Sequence, residues 1–254
     1  MKYLRFEIEG AEKQGVVEGG VIKEITGDIF TSYEYTGSEF EFDGAHILAP
    51  VQPKKIVAVG KNYLDHIGEL GGDTDIPKNP IIFIKMPHTI VGPGEIIKRP
   101  KGAKRVDYEA ELGIVIGKEC FNVEPEQAME YVFGATCLND VTERVFQKSD
   151  KQWIRSKNFP TFCPVGPYIV TGLDYGNLNI SSKLNGEIRQ NSNTSKFLFN
   201  LPELISFISG FMPMYPGDVI ATGTPEGIGA MVEGDVVEVT VEGVGTLRNK
   251  VADA

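Results

Sequence analysis

Apolar and polar positions alternate with a period of two along most of the chain, so strands dominate the reading. KYLRFEIEG at the start alternates, and Gly15, Gly19–Gly20 and Gly27 punctuate the stretch after it, which predicts short strands and turns over residues 1–50. Pro50 and Pro53 stiffen a link to the next segment. The expected division is therefore a small N-terminal β module at 1–52 and a larger domain at 53–254. In the larger domain KIVAVG (55–60) and IIFIK (81–85) are predicted buried strands. RVDYEAELGIVIG (105–117) reads as one long strand, and the Asn185-Gly186 pair as a two-residue hairpin turn. Helices are expected at 62–70, 125–133, 141–148 and 201–211, and a short strand at 135–138.

On the predicted strand 105–117, Val106, Tyr108, Ala110, Leu112, Ile114 and Ile116 share an apolar face. Asp107, Glu109, Glu111, Gly113 and Val115 share the other. Glu109 and Glu111 then lie roughly 7 Å apart along that face. Their charges repel unless something positive sits between them. A solvated strand face is the plain alternative, but the same face turns to Gly113 and Val115 within one further pair, which suits a cavity floor. Asp140 stands where an apolar strand gives way to a helix, and helix capping alone would account for it. Taken together, three carboxylates near strand ends form a hard oxygen site suited to Mg²⁺, Mn²⁺ or Ca²⁺. Zinc is a poor fit, because only His46, His66 and His88 are present and none clusters with a cysteine.

Composition narrows the partners. Glycine (29) and proline (15) are too frequent for a helix bundle, and 41% hydrophobic with 24% charged residues is an ordinary globular balance. A net charge of −10 repels phosphate backbones and anionic lipid heads, so neither nucleic acid nor a membrane is an expected partner. Cys120, Cys137 and Cys163 are widely spaced and odd in number, which suggests no disulfide framework and fits a reducing cytoplasm. MKYLRFEIEG lacks the apolar stretch of a signal peptide, and no apolar run is long enough to span a bilayer.

Several blocks then converge: GKNYLDHIGE (60–69), FIKMPHTIVGPG (83–94), VDYEAELGIVIG (106–117), LNDVTERVFQ (138–147), SKNFPTFCPVGP (156–167) and TGTPEGIG (222–229). NGEIRQNSNTSKFLFNLPELISF (185–207) precedes the last of them. Their order over about residues 55–250 resembles the fumarylacetoacetate hydrolase family, and residues 1–50 resemble the N-terminal module of its shorter bacterial members. The resemblance implies a mainly β fold, a mixed β-sandwich or β-roll with few helices, usually assembled as a homodimer. It implies that Glu109, Glu111 and Asp140 bind Mg²⁺ or Mn²⁺, and that the substrate is a small 2-oxo or 2,4-dioxo acid. An enolate is common to the reactions this allows. Acylpyruvate hydrolysis or oxaloacetate decarboxylation comes first. Isomerisation or decarboxylation of 2-hydroxyhepta-2,4-diene-1,7-dioate-type diacids is the alternative.

The same resemblance places His66 and Glu69 as a base and its orienting partner on a lid helix, where an isolated pair would read as a wet surface. It puts Lys157 at the site to stabilise an oxyanion, although a lysine there is ordinarily a solvated charge. Gln147 matches a residue that positions substrate or water, and Arg144 lies one helical turn before it. Gly223 and Thr224 are candidates for holding the substrate carboxylate, against a simple Gly-Pro turn. Lys85 matches a family lysine whose contact, with substrate or with structure, the motif leaves open. Met86-Pro87-His88-Thr89 departs from the small hydroxyl residues common there. His88 is then either a pocket residue that changes substrate preference or an exposed loop residue. From a different class, a calcium-dependent β-sandwich binding module would use acidic loops and surface aromatics and would not need the His–Glu pair. An inactive family member serving as a dimeric scaffold is a third reading, against which the intact carboxylates argue.

Overall fold

The structure, a computed structural model, describes residues 1–67 and 76–254, with only the backbone of residues 66 and 67. Among the described residues, alternating and continuous apolar runs build three sheets. The main path of the 12-stranded sheet runs through Ser32–Phe40, Val21–Asp28, Ala11–Glu18, Lys2–Ile8, Cys163–Val170, Val132–Asn139, Ala110–Ile116, Val219–Ala221, Ile56–Gly60 and Ile81–Lys85. A five-stranded sheet contains Glu187–Asn193, Asn179–Leu184, Val236–Val241, Gly245–Asp253 and Ile96–Arg99. Thr142–Glu143, Val106–Tyr108 and Gly229–Met231 form a third, three-stranded sheet. The N-terminal strands join the large sheet directly, because Lys2 and Tyr3 pair with Val170 and Ile169.

Ala110–Ile116 is the central strand. Leu112, Ile114 and Ile116 pack toward Ile180, Val239, Val241 and Leu247 of the five-stranded sheet and toward the helix Leu201–Ser209. Val115 packs on the opposite side with Ile56, Ala58, Leu138 and Val165. Both faces are buried, and each such Leu or Ile contributes about 1.5–3 kcal/mol. The helix Leu201–Ser209 buries Leu204, Ile205 and Ile208 at helical spacing. A reciprocal Asn200–Glu203 capping box starts it. At the hairpin, Asn185 and Gly186 have φ of 54° and 83°, the left-handed pair a tight turn of matching twist requires.

Three expectations change in detail. The long strand over 105–117 is two strands in different sheets, broken at Glu109. There the backbone leaves the ladder: Glu109 N donates to Asn139 Oδ1, and Glu109 O accepts from Asp140 N. The helix expected over 125–133 is a 3₁₀ segment, Pro125–Tyr131, after which the chain extends as Val132–Asn139. The helix expected from 141 begins at Arg144, because Thr142 and Glu143 pair with Asp107 and Val106 in the three-stranded sheet. Among the described residues no helix is long and apolar enough to cross a membrane. All three cysteines are buried free thiols.

Candidate metal centre and its cavity

The break at Glu109 and the end of Val132–Asn139 bring three acids together from two sheets. Oxygens of Glu109, Glu111 and Asp140, all buried, lie within 4.8 Å of one another. Oxygens that share one Mg²⁺ at about 2.1 Å are roughly 3–4 Å apart, so this spacing and the all-oxygen donor set fit a hard divalent ion. Asp140 does not cap the following helix; Glu143 does, accepting from Phe146 N at 2.6 Å.

Cations hold the outer sides of the acids. Lys157 Nζ donates to Asp140 Oδ2 at 2.5 Å and Glu109 Oε2 at 2.9 Å. Lys85 Nζ donates to Asp140 Oδ1 at 2.5 Å and Val141 O at 3.3 Å. Arg144 Nη2 forms an ion pair with Glu109 Oε1 at 2.5 Å, and its Nε donates to Asp107 Oδ2 at 2.8 Å. Asp107 is also held by Arg105, at 2.9 and 3.0 Å, so the cations in contact with the acids sit on Asp107, Glu109 and Asp140. Glu111 has no cationic partner at ion-pair distance among the described residues and accepts from Gly223 N at 2.9 Å. Burial, then the charges of Asp140 and Glu109, push the Glu111 carboxyl well above its ordinary range. A divalent ion would reverse that logic. Burial works against the charge on Lys157, but Asp140 and Glu109 outweigh it and raise its pKa.

A cavity of about 200 Å³ opens on the acids and is lined also by Arg144, Gln147, Lys157 and Thr224, with Phe83 and Trp153 as an aromatic wall. The two rings meet edge to face at 5.4 Å, and Lys157 Nζ lies 4.9 Å from the Phe83 centroid. Gly60 lets Trp153 approach, since a Cβ there would meet its ring at 2.6 Å. Arg144 Nη1 donates to Gln147 Oε1 at 2.8 Å. Gly223 has φ +94°, and a Cβ there would lie 2.8 Å from Asn62 Cβ, so the amide that reaches Glu111 needs glycine.

Of the residues singled out in the sequence, Glu109, Glu111, Asp140, Lys157, Arg144, Gln147, Gly223 and Thr224 come together around this cavity. Lys85 is fully buried behind Asp140 and takes no part in the lining, so its contact is with structure. His88 is exposed in the turn Pro87–Thr89, its Nε2 2.9 Å from Asn158 O, and it too is apart from the lining. His66 is on the short helix Leu64–Ile67; its side chain, and Glu69 altogether, lie outside the described residues.

Two buried residues escaped the sequence reading. Asn62 donates to Thr222 O at 2.8 Å and Phe199 O at 3.2 Å and so braces the Gly223 loop. Gln190 bridges the central strand to Thr224 and Pro225. Alternation gives no warning of Gln190, since Ile188 on the same strand is exposed while Gln190 is buried.

The model of the family described as fumarylacetoacetate (FAA) hydrolase C-terminal matches residues 55–252. The chain belongs to this family. A second model, described as Rv2993c-like, N-terminal, matches residues 1–50. Among relatives, the oxaloacetate tautomerase Fahd2a of Rattus norvegicus mitochondria is 44% identical over 216 residues, covering 80% of this chain and 68% of that protein. The crystal structure of 5-carboxymethyl-2-hydroxymuconate delta-isomerase from Mycobacterium smegmatis is 40% identical, with a TM-score of 0.93 over the full length of both chains. Maleylpyruvate hydrolase from Sphingobium sp. SYK-6, solved in complex with manganese(II) ion and pyruvate, is 29% identical, with a TM-score of 0.83 over both full lengths. As a fumarylacetoacetate hydrolase family member, the chain is an enzyme of a group acting on oxo acids.

Proposed function

We propose that this fumarylacetoacetate hydrolase family member is a Mg²⁺- or Mn²⁺-dependent enzyme that takes a 2-oxo or 2,4-dioxo acid through its enolate. The observation that carries the reading is the convergence of the buried Glu109, Glu111 and Asp140 on one point beneath the cavity. These three residues would hold the ion, which supplies Lewis-acid stabilisation of the enolate oxygen. A calcium-dependent recognition module would carry its acids on exposed loops; here all three are buried beneath a cavity.

The chain's own residues bind and orient the substrate. Lys157 holds Asp140 and Glu109, and Arg144 holds Glu109, at ion-pair distance, which fixes these acids at the cavity. Thr224 and Gln147 offer polar contacts in the cavity lining, while Phe83 and Trp153 limit water. By resemblance, His66 oriented by Glu69 moves the proton at C3. When the C3–H bond breaks, its electron pair forms the C2=C3 double bond and the former carbonyl oxygen accepts a proton. Tautomerisation of an oxo-diacid needs no more than this. Isomerisation adds a proton delivered to the far carbon of the dienolate as the double bond shifts and the enolate returns to the oxo form. The tautomerase and isomerase relatives favour these reactions. Hydrolysis of an acylpyruvate, with water attacking the acyl carbon and the enolate leaving, is the second reading, favoured by the hydrolase structure that holds manganese and pyruvate.

A turnover screen over oxaloacetate, acetylpyruvate, fumarylpyruvate and dienoic diacids tests the reading, run with chelator and with Mg²⁺ or Mn²⁺ restored. Turnover of at least one substrate is expected only with metal, and Glu109→Ala should abolish it while circular dichroism stays native. Full activity in that variant would remove the metal reading.

A further inference from the structure

We propose that Gln190 is a positioning residue that sets the polarity of Thr224, so that Thr224 meets the substrate as a hydrogen-bond donor. The inference rests on the proposed function and deepens it, because a donor at this wall selects an acceptor such as a carboxylate or oxo oxygen.

Two backbone groups determine the orientation of the Gln190 amide. Ala110 N can only donate, and it lies 3.0 Å from Gln190 Oε1. Pro225 O can only accept, and it lies 2.7 Å from Gln190 Nε2. The amide is therefore not free to flip. The same Nε2 reaches Thr224 Oγ1 at 2.7 Å, so the hydroxyl must accept there. A hydroxyl has one hydrogen to donate, and that of Thr224 finds no acceptor among the described residues. Thr224 lines the cavity, so its remaining hydrogen-bonding direction is the substrate's. Ala110 lies between Glu109 and Glu111, so one buried amide ties the strand that carries two acids to the loop that carries the donor.

A double-mutant cycle on the Mn²⁺-loaded protein tests this, with calorimetric binding of oxalate, an unreactive analogue of a 2-oxo acid. Thr224→Val should weaken oxalate about tenfold, as for one hydrogen bond to a charged group, and Thr224→Ser should retain it. Gln190→Met should weaken oxalate by a similar factor. Thr224→Val should then cost little more in the Gln190→Met background. In turnover both variants should raise KM more than they lower kcat. If Gln190→Met does not fold, Gln190→Glu replaces it, since it keeps the acceptor for Ala110 N and lacks the amide donor. A full Thr224→Val penalty in either Gln190 background would overturn the inference while leaving the metal reading intact. Oxalate binding that ignores Mn²⁺ would instead sink the proposed function, and the cycle would still report on Gln190.

Discussion

Replacing Lys85 by methionine isolates the contribution of charge balance beneath the acids. The lysine is fully buried, with its ammonium 2.5 Å from Asp140 Oδ1 and 3.3 Å from Val141 O. Lys85→Met preserves much of the side-chain volume, so the effect is electrostatic. Asp140 keeps Lys157, but the buried cluster loses one of the positive charges that face its acids. Removing one partner of a buried pair costs about 3–5 kcal/mol. At roughly 2–4 °C per kcal/mol for a chain of this size, the melting temperature of the metal-free protein should fall by about 6–20 °C. Mn²⁺ at about a hundred times its Kd stabilises the folded state by roughly 2.7 kcal/mol in the wild type. In the variant the same ion also relieves the added repulsion, so the gap between the two proteins should narrow. Thermal unfolding followed by circular dichroism, with chelator and with Mn²⁺, measures both quantities. A metal-free melting temperature within a degree or two of wild type would refute the claim that Lys85 neutralises Asp140, and a gap unchanged by Mn²⁺ would refute its coupling to the ion.

The folded-state pKa of Glu111 is raised, so its contribution to stability is present below the ordinary value of 4.5 and is lost as pH rises through the raised one. Metal-free protein should therefore lose melting temperature as pH rises above the ordinary carboxylate range, and Glu111→Gln should flatten that slope; a wild-type slope in the variant would count against the charge crowding. Gly223→Ala places a Cβ 2.8 Å from Asn62 Cβ at φ +94° and displaces the amide that bonds Glu111, so Mn²⁺ affinity measured by calorimetry should drop at least about tenfold. His66→Ala should slow turnover by roughly 10²–10⁴-fold, the usual contribution of a general base, and a wild-type rate would assign His66 to the surface. Size-exclusion chromatography with light scattering should return a dimer, and a clean monomer would contradict the assembly implied by the resemblance.

What the sequence by itself determined was local. Period-two alternation marked the strands and Asn185-Gly186 the hairpin, because each depends on neighbours one or two residues away. The ordered motif blocks added Asp140 and the family. Tertiary structure decided the rest. Glu109 breaks its strand because Asn139, 30 residues later, takes its backbone N–H. Lys157 is a buried partner of Asp140 rather than a surface charge, and Lys85 reaches Asp140 rather than the cavity, because helix and sheet ends 17 and 55 residues from Asp140 converge there. Gln190 acquires its role only when strand 187–193 is laid across Ala110 and Thr224, contacts separated by 80 and 34 residues. Alternation reports which face a residue takes, whereas the charges and amides that meet across sheets are set by chain closure over long separations, which no local pattern encodes.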